Sequence, residues 1–195
     1  MPKGFVRHQL DEHHHFYAGV LPDHLRLSEA EFDELWSLHP DDYHEIQMHG
    51  RPIKTPRWQQ AYGADYHYTG RVNKALPAPS ILQPILDWCR AAIDNQLNGI
   101  LLNWYDGSRG HYIGKHRDST KHMVEGSPIV TISFGEERTF RLRPWKLPGM
   151  RDFPARDGAV FVMPYDTNLT WTHEVPGFAG QQGRRISVTL RAFDA

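Results

Sequence analysis

The sequence contains one cysteine, Cys89, among 195 residues. A single cysteine cannot form an internal disulfide, and so low a content is typical of proteins that fold in a reducing compartment. The first residues lack the apolar segment of a signal peptide, and no apolar run approaches the roughly 20 residues that a membrane-spanning helix needs. We therefore expect a cytoplasmic protein, nuclear in a eukaryote, that does not associate with membranes.

An excess of charge of either sign is also absent. The chain has 22 Lys and Arg residues against 23 Asp and Glu residues, which gives a formal net charge of -1. No overall field therefore attracts nucleic acid, and binding to a polyanion would require a local basic patch. With 39% apolar residues the chain can bury a substantial core, so we expect one domain over residues 1–195, acting as a monomer.

The first half of the chain predicts two helices after a polar segment at residues 1–27. The neighbouring residues His13, His14 and His15 in that segment face different ways if extended, which favours a solvated loop over a metal site. Ser28 and Glu31 have the spacing of a capping box, and apolar residues follow at helical intervals until Pro40. A second amphipathic helix is predicted from Ser80 to about Gln96.

Residues 49–70 interleave basic and aromatic side chains. On strands or a hairpin, such a segment can hold a phosphate while its rings stack on a base. A tyrosine-rich strand pair that covers a core, with its charges outside, has the same pattern, so both interpretations remain open. The residues concerned are Arg51, Lys54, Arg57, Trp58, Tyr62, Tyr66 and Tyr68.

The second half of the chain alternates short apolar or alternating runs with Gly- and Pro-rich turns. These runs predict strands at residues 99–105, 128–134, 139–143, 158–163, 169–174 and 185–193, and the insertion at 144–154 predicts a loop. The pattern indicates a mainly β fold of the α+β type with a double-sheet jelly-roll core at 99–195. Residues 28–98 would supply flanking helices and strands that form a lid.

A candidate metal site begins with His116 and Asp118. Side chains two apart on a strand point to the same side, so both can bind one ion. His173 is the candidate third ligand, because it follows the apolar strand at 158–163 and precedes the last strand. Two histidines and one carboxylate form the facial ligand set of non-haem iron(II) oxygenases. The alternative is a pair of surface residues with a half-exposed strand histidine.

The last strand carries Arg185 and Arg191, which share a face with Ser187 and Thr189. Two buried guanidinium groups need anionic partners, and a dicarboxylate co-substrate would satisfy both through paired hydrogen bonds. Two surface arginines on an edge strand are the alternative. Asn103 and Tyr105 form a similar same-face pair, which can donate to the same carboxylate.

The order Asn103-x-Tyr105, His116-x-Asp118, His173 and Arg185-x5-Arg191 resembles the AlkB family of iron(II)- and 2-oxoglutarate-dependent dioxygenases, from about Pro56 onward. PRWQQAYG and YHYTG resemble the substrate lid of the eukaryotic DNA-repair branch, and HYIGKHRD, GSPIVTISFG and RTFRLR resemble the core around its iron. The resemblance implies that His116, Asp118 and His173 bind Fe(II). It assigns Asn103, Tyr105 and Arg185 to the distal carboxylate of 2-oxoglutarate, Arg191 to the carboxylate beside the metal, and Ser187 to the co-substrate site.

The activity implied by this resemblance is oxidative demethylation of alkylated bases in DNA or RNA, which consumes dioxygen and 2-oxoglutarate and releases formaldehyde, succinate and carbon dioxide. Arg57, Tyr62, Tyr66, Tyr68 and Thr120 are the candidate substrate residues. Thr120 stands where repair members have an acidic residue, and Ser187 stands where the family commonly has asparagine. These departures keep two alternatives open. One is a hydroxylase or demethylase of a small molecule, nucleoside or protein, and the other is a non-catalytic binder of metal or 2-oxoglutarate.

Overall fold

The computed structural model describes residues 1–48, 50–68 and 71–194, so that His49, Thr69 and Gly70 of the aromatic segment lie outside the described residues. The helices over the described residues are α1 Glu29–Ser37, α2 Gln83–Ala92 and α3 Tyr165–Thr170. The strands are β1 Val6–Gln9, β2 His15–Val20, β3 Glu45–Met48, β4 Arg51–Lys54, β5 Trp58–Tyr62, β6 Tyr66–Tyr68, β7 Arg71–Asn73, β8 Gly99–Asp106, β9 Ile113–His116, β10 Ile129–Gly135, β11 Arg138–Pro144, β12 Arg151–Ala155, β13 Ala159–Met163, β14 Trp171–Val175 and β15 Arg184–Arg191.

Two antiparallel sheets form the core. The larger sheet has the strand order β1-β2-β13-β10-β15-β8-β5, and the smaller has the order β12-β11-β14-β9. Their inner faces pack together through aromatic side chains, because the ring of Phe140 on β11 lies 4.8 Å from that of Phe161 on β13 and 5.9 Å from that of Phe16 on β2. The predicted mainly β fold with a double-sheet jelly-roll core is therefore confirmed.

Alternation along β8, β10 and β15, three neighbouring strands of the larger sheet, separates an apolar outer face from an inner face that carries polar side chains. On β15, Ile186, Val188 and Leu190 join the outer core against the helices, whereas Arg185, Ser187, Thr189 and Arg191 face the inner cavity. The strands on either side, β8 and β10, alternate in the same way. Pairing of these three strands in register therefore gathers the polar side chains on one face of the sheet.

Two helices cover the outer face. Helix α1 begins with the predicted capping box, in which the Glu31 amide donates to Ser28 Oγ and the Glu31 carboxylate accepts from the Ser28 amide at 2.7 Å. Helix α2 buries Ile85, Leu86 and Cys89 but ends at Ala92, earlier than predicted. The carboxylate of Asp94 accepts from the Gln96 amide at 2.9 Å, and this local turn replaces a further helical turn.

The N-terminal polar segment is more ordered than a solvated loop. Residues 15–20 form β2, which pairs with β13 and extends the larger sheet, and β1 pairs with β2 at its edge. Sequence analysis missed these strands because β1 is almost wholly exposed and β2 has a single fully buried residue, Phe16. His13 and His14 lie in the connecting turn, where their backbone amides donate to the carboxylate of Asp11.

Two other predictions for the second half are wrong in detail. The segment 169–174, predicted as one strand, ends helix α3 at Thr170 and then begins β14 at Trp171. The segment 144–154, predicted as a loop, contains the start of β12, which pairs with β11 over residues 151–155. Its proline, Pro154, is tolerated because β12 is an edge strand of the smaller sheet.

The aromatic segment divides among three sheets. Strand β5 pairs with β8 in the larger sheet, whereas β3 pairs with β4 and β6 pairs with β7 in separate hairpins beside it. None of the helices within the described ranges has both the length and the apolar composition to cross a bilayer.

Candidate active site

His116, Asp118 and His173 converge at the inner end of the smaller sheet. His116 on β9 and His173 on β14 are paired across the two strands, and their ring centroids are 4.2 Å apart. The Asp118 Oδ1 atom lies 3.5 Å from His116 Nε2 and 3.8 Å from His173 Nε2. One ligand atom from each residue lies within 4.8 Å of the others, as binding to a single ion requires.

The ring orientation of His116 suits metal binding. Its Nδ1 lies 2.9 Å from the Gly114 carbonyl oxygen, which can only accept, so Nδ1 carries the proton. In a neutral imidazole, Nε2 then has a free lone pair, and this is the atom that faces Asp118. The ring of His173 is held from the other side by Phe140, which stacks on it at 5.6 Å and 20°.

The protonation states of the other two ligands also favour a cation. Burial and the neighbouring His116 lower the pKa of His173 to about 3, so its imidazole is neutral at pH 7. Burial would raise the pKa of Asp118, but Arg191 and the two histidines outweigh that effect and hold the pKa well below its ordinary value. Asp118 therefore remains a carboxylate although only 4% of it is exposed.

Arg191 is the direct partner of the metal-binding carboxylate. Its Nε and Nη2 donate to Asp118 Oδ2 at 3.0 and 2.5 Å, which leaves Oδ1 directed toward the histidines. The guanidinium also lies 4.7 Å from the ring centroid of Tyr66 on β6. Arg191 was predicted as a site residue, but its pairing with Asp118 was not, because β15 and the His116–Asp118 segment come together only in the tertiary structure.

A residue that sequence analysis missed, Asn168 on α3, holds the backbone of Asp118. The Asp118 amide donates to Asn168 Oδ1 at 2.9 Å, and Asn168 Nδ2 donates to the Asp118 carbonyl at 3.0 Å. Asn168 is 1% exposed, so neither hydrogen bond competes with bulk water. Helix α3 leads directly into β14, and the contact therefore fixes Asp118 relative to the strand that carries His173.

A cavity lined by many polar side chains extends from these ligands into the larger sheet. Arg185 lies at its inner end, fully buried, where Nη2 donates to Ser133 Oγ at 2.7 Å and the guanidinium lies 4.9 Å from the Tyr105 ring. Burial lowers the pKa of Arg185, and the side chain of Tyr105 partly offsets this effect.

Arg185 has donors available for an anion. Its Nε and Nη1 are buried and have no hydrogen-bond partner among the described residues. Buried donors without partners are costly, so a carboxylate that enters the cavity would be bound strongly. Asn103, Tyr105, Ser187 and Thr189 line the same cavity, which brings together all the residues predicted for a co-substrate.

Arg57, directly before β5, and Gln59, on β5, complete the wall of the cavity. Arg57 Nε donates to Asn103 Oδ1 at 2.7 Å, and Arg57 Nη2 donates to Gln59 Oε1 at 3.1 Å. Both residues are nearly buried, at 6% and 3% exposed. Gln59 was not recognised from the sequence, although its position two residues from Arg57 on one face of β5 was the available signal.

The candidate substrate residues do not gather in one place. Arg57 and Tyr66 line the cavity, but Tyr62 is 4% exposed within the outer apolar core, and burial raises its pKa. The side chain of Tyr68 lies outside what the structure describes. Thr120 is absent from the cavity wall and instead lines a neighbouring surface groove that reaches His116 and Asp118 from outside.

These features fit Fe(II) and 2-oxoglutarate. The two imidazoles and the ionised aspartate offer the donor set that non-haem iron proteins use, and Arg185 offers unsatisfied donors to a carboxylate at the other end of the same cavity. His111, which lies close to His116 in the sequence, is buried away from the ligands, and its ring nitrogens form hydrogen bonds with the Tyr43 hydroxyl and the Asp106 amide.

Comparison with known proteins agrees with this geometry. The family model of the 2OG-Fe(II) oxygenase superfamily matches residues 24–191. DNA oxidative demethylase ALKBH2 from Homo sapiens is 29% identical over 157 residues, which cover 75% of this chain and 60% of that protein. Alpha-ketoglutarate-dependent dioxygenase alkB homolog 3 from Rattus norvegicus is 26% identical over 149 residues, covering 70% of this chain and 50% of that protein. The chain thus spans 50–60% of the length of these relatives.

The structure of OsALKBH1 is similar in fold. It superimposes with a TM-score of 0.58, and the match covers 95% of this chain and 99% of that one. Sequence identity over the superposition is 12%, so the similarity concerns the jelly-roll architecture alone.

Proposed function

The chain belongs to the 2OG-Fe(II) oxygenase superfamily as an AlkB-family Fe(II)- and 2-oxoglutarate-dependent dioxygenase, and on this premise we propose that it demethylates alkylated bases in DNA or RNA. The proposal is supported by its similarity to proteins named as DNA oxidative demethylases. The observation that carries it is a basic groove next to the metal ligands.

The groove has the chemistry of a nucleic-acid surface. It is lined by Lys115, Arg117 and Lys121, and Asp118, which is already paired with Arg191, is the one acidic residue that the structure places along it among the described residues. Trp145 lies on its edge, 41% exposed, with the Arg117 guanidinium 4.3 Å from its ring centroid. Cations that neutralise phosphates beside an exposed ring that stacks on a base are typical of single-strand binding.

This local patch meets the requirement set by the net charge of -1, since the whole chain provides no attractive field. The groove also reaches His116 and Asp118, so a strand that lies in it passes next to the metal site. A base turned out of such a strand can enter the cavity, as enzymes that modify bases require.

The residues of the site have separate tasks in this reaction. His116, Asp118 and His173 would hold the iron, and Arg185 with Asn103 and Tyr105 would hold 2-oxoglutarate. When bound, iron and 2-oxoglutarate supply the oxidation by dioxygen that inserts one oxygen atom into a methyl C–H bond and yields succinate and carbon dioxide. The N-hydroxymethyl base then loses formaldehyde, and its nitrogen regains a proton. Phe140, Ile113 and Val175 form an apolar wall that limits access of water.

The test is incubation of a single-stranded oligonucleotide that carries one N-methylated base with the protein, iron(II) and 2-oxoglutarate. We expect formaldehyde and succinate in equal amounts, together with the unmodified base. The nucleic-acid proposal would be refuted if no methylated oligonucleotide released formaldehyde while a free nucleoside or another small molecule did so, with succinate formed in that reaction. His116→Ala should abolish both products, since it removes a metal ligand.

The groove is tested separately by the double variant Lys115→Ala/Lys121→Ala. If both lysines contact phosphates, the slope of log K against log salt, where K is the association constant for a single strand, should become shallower by about 1.4 in the variant. Arg156→Ala is the matched control, because Arg156 is an exposed cation paired with Glu137 and lies outside the groove. Equal salt slopes for the wild type and the double variant would contradict a phosphate path along the groove.

A further inference from the structure

The cavity contains more positive charge than its known occupants balance. Three guanidinium groups line it, those of Arg57, Arg185 and Arg191, whereas Asp118 is its one carboxylate among the described residues. The two charges of Fe(II) are offset by those of 2-oxoglutarate. Because Arg191 is paired with Asp118 and Arg185 lies at the buried inner end, the positive charge that is left for a substrate belongs to Arg57.

Arg57 is held in place by neutral groups. The acceptors of its hydrogen bonds are the amide oxygens of Asn103 and Gln59, neither of which neutralises a guanidinium. No carboxylate of the described residues forms an ion pair with it. Holding a cation of 6% exposure in this way is expensive unless an acceptor of hydrogen bonds arrives with the ligand.

Gln59 adds a neutral donor to the same wall. Its Oε1 is occupied by Arg57, and its buried Nε2 has no hydrogen-bond partner among the described residues. This part of the cavity wall therefore offers N–H donors to a ligand and, among the described residues, carries no carboxylate of its own. Thr120 and Ser119, in the adjoining groove, add hydroxyl groups but no negative charge.

We infer that the group that enters this cavity is an uncharged N-methylated base with a carbonyl oxygen beside the methylated nitrogen, as in 3-methylthymine or 1-methylguanine. The inference rests on the proposed function and deepens it by naming the substrate class. The carbonyl oxygen accepts from Gln59 and Arg57 and satisfies donors that would otherwise remain buried without a partner.

Bases of the other chemical class fit poorly. Methylation at N1 of adenine or N3 of cytosine gives a ring that is cationic at neutral pH. The ring charge is repelled by the Arg57 guanidinium, and the one carboxylate that lines the cavity among the described residues, Asp118, is already paired with Arg191. The structure therefore assigns Arg57 and Gln59 as residues that select the substrate base by its charge.

The experiment compares four oligonucleotides that differ only in one base, namely 3-methylthymine, 1-methylguanine, 1-methyladenine or 3-methylcytosine. Their affinities for the protein loaded with iron and 2-oxoglutarate are measured without oxygen by fluorescence anisotropy, and formaldehyde release is measured after oxygen is admitted. We expect the two uncharged bases to bind at least fivefold more tightly and to react with at least tenfold higher kcat/KM.

Gln59→Glu is the decisive variant, and Gln60→Glu is its matched control. The new carboxylate at position 59 lies next to Arg57 Nη2 and cancels its charge, so the preference for uncharged bases should fall at least fivefold. Gln60 is the next residue on the same strand, but its side chain points away from the cavity and donates to the Ala61 and Lys74 carbonyls, so the control should keep the wild-type preference. Arg57→Gln should change the preference in the same direction as Gln59→Glu.

The possible outcomes separate this inference from the proposed function. Formaldehyde release that is faster from the cationic bases would overturn the inference while supporting demethylation of nucleic acid. Tighter anaerobic binding of uncharged bases with no formaldehyde from any oligonucleotide would support the charge preference and refute the demethylase activity. Equal affinity for all four oligonucleotides, or an unchanged preference in Gln59→Glu and Arg57→Gln, would overturn the inference.

Discussion

Replacing Asn168 by alanine tests how the metal-binding carboxylate is positioned. The Asn168 side chain does not bond the carboxylate of Asp118. Its two hydrogen bonds go to the backbone amide and carbonyl of that residue. The alanine variant removes both partners and leaves two backbone groups of Asp118 unsatisfied in a buried site. The segment after β9 then loses its connection to helix α3.

The magnitude follows from the burial of these groups. Each buried polar group left without a partner costs about 1–3 kcal/mol, so Asn168→Ala should destabilise the protein by about 2–4 kcal/mol after partial relaxation. For a chain of this size, about 2–4 °C of thermal midpoint is lost per kcal/mol, which predicts a decrease of roughly 5–15 °C. Because Asp118 also becomes less constrained, affinity for iron should fall by about 10- to 100-fold, as with other residues that orient metal ligands.

Metal titration distinguishes a positioning role from a purely structural one. Thermal midpoints are measured with and without iron(II), and the affinity is obtained from the folded protein at 15 °C. Asn95→Ala provides the control, since Asn95 is exposed in a turn after α2. A destabilised Asn168→Ala protein with the iron affinity of the wild type would refute the positioning role. Asn168→Asp, which keeps the acceptor but loses the donor, should give an intermediate affinity.

Three further predictions concern other buried groups. Arg185→Met should weaken 2-oxoglutarate binding by ~100-fold in calorimetric titration, because hydrogen bonds to charged groups contribute about 1.5–3 kcal/mol each, without lowering the thermal midpoint of the ligand-free protein. An unchanged affinity would contradict its assignment to the carboxylate. Burial lowers the pKa of His111 from its ordinary 6.5, so the folded state binds fewer protons than the unfolded state below that pH. The free energy of unfolding, measured with urea, should therefore fall as pH decreases from 7.5 to 5.5, and this fall should be smaller in His111→Gln. Burial raises the pKa of Cys89 to about 12, so thiol reagents at pH 8 should modify it only after unfolding. Since the unfolded thiol loses its proton first, the contribution of Cys89 to stability should decline from about pH 9 to pH 12, and a Cys89→Ala variant should lack this decline.

Much of the site could be read from local periodicity. Arg185, Ser187, Thr189 and Arg191 share a face because a strand repeats every two residues, and the structure places all four on the cavity wall. The His-x-Asp spacing and the position of His173 between two strands likewise led to three residues that converge in space. These features depend on neighbours in the chain or on the order of strands, both of which a sequence displays.

Errors arose where local patterns were weak or ambiguous. Strand β2 was included in a polar N-terminal segment because the residues before it are mostly polar, and its place is fixed by pairing with β13 far along the chain. Tyr62 belongs to an aromatic segment that suggested a lid, but β5 pairs with β8 and turns Tyr62 into the outer core. Neither strand partner can be identified from the segment itself.

The sequence by itself determined the fold class, the three metal-binding candidates and the cationic face of the last strand, because alternation and the order of motifs are local properties. Tertiary structure alone decided that Arg191 holds Asp118, that Asn168 fixes the backbone of Asp118, and that Arg57 and Gln59 turn unsatisfied donors toward the cavity. Each of these depends on contacts between segments 46 to 73 residues apart, or on which groups remain unpaired once those segments have packed. Such contacts are set by the pairing of sheets and the burial that follows, and they determine the charge that the cavity presents to a substrate.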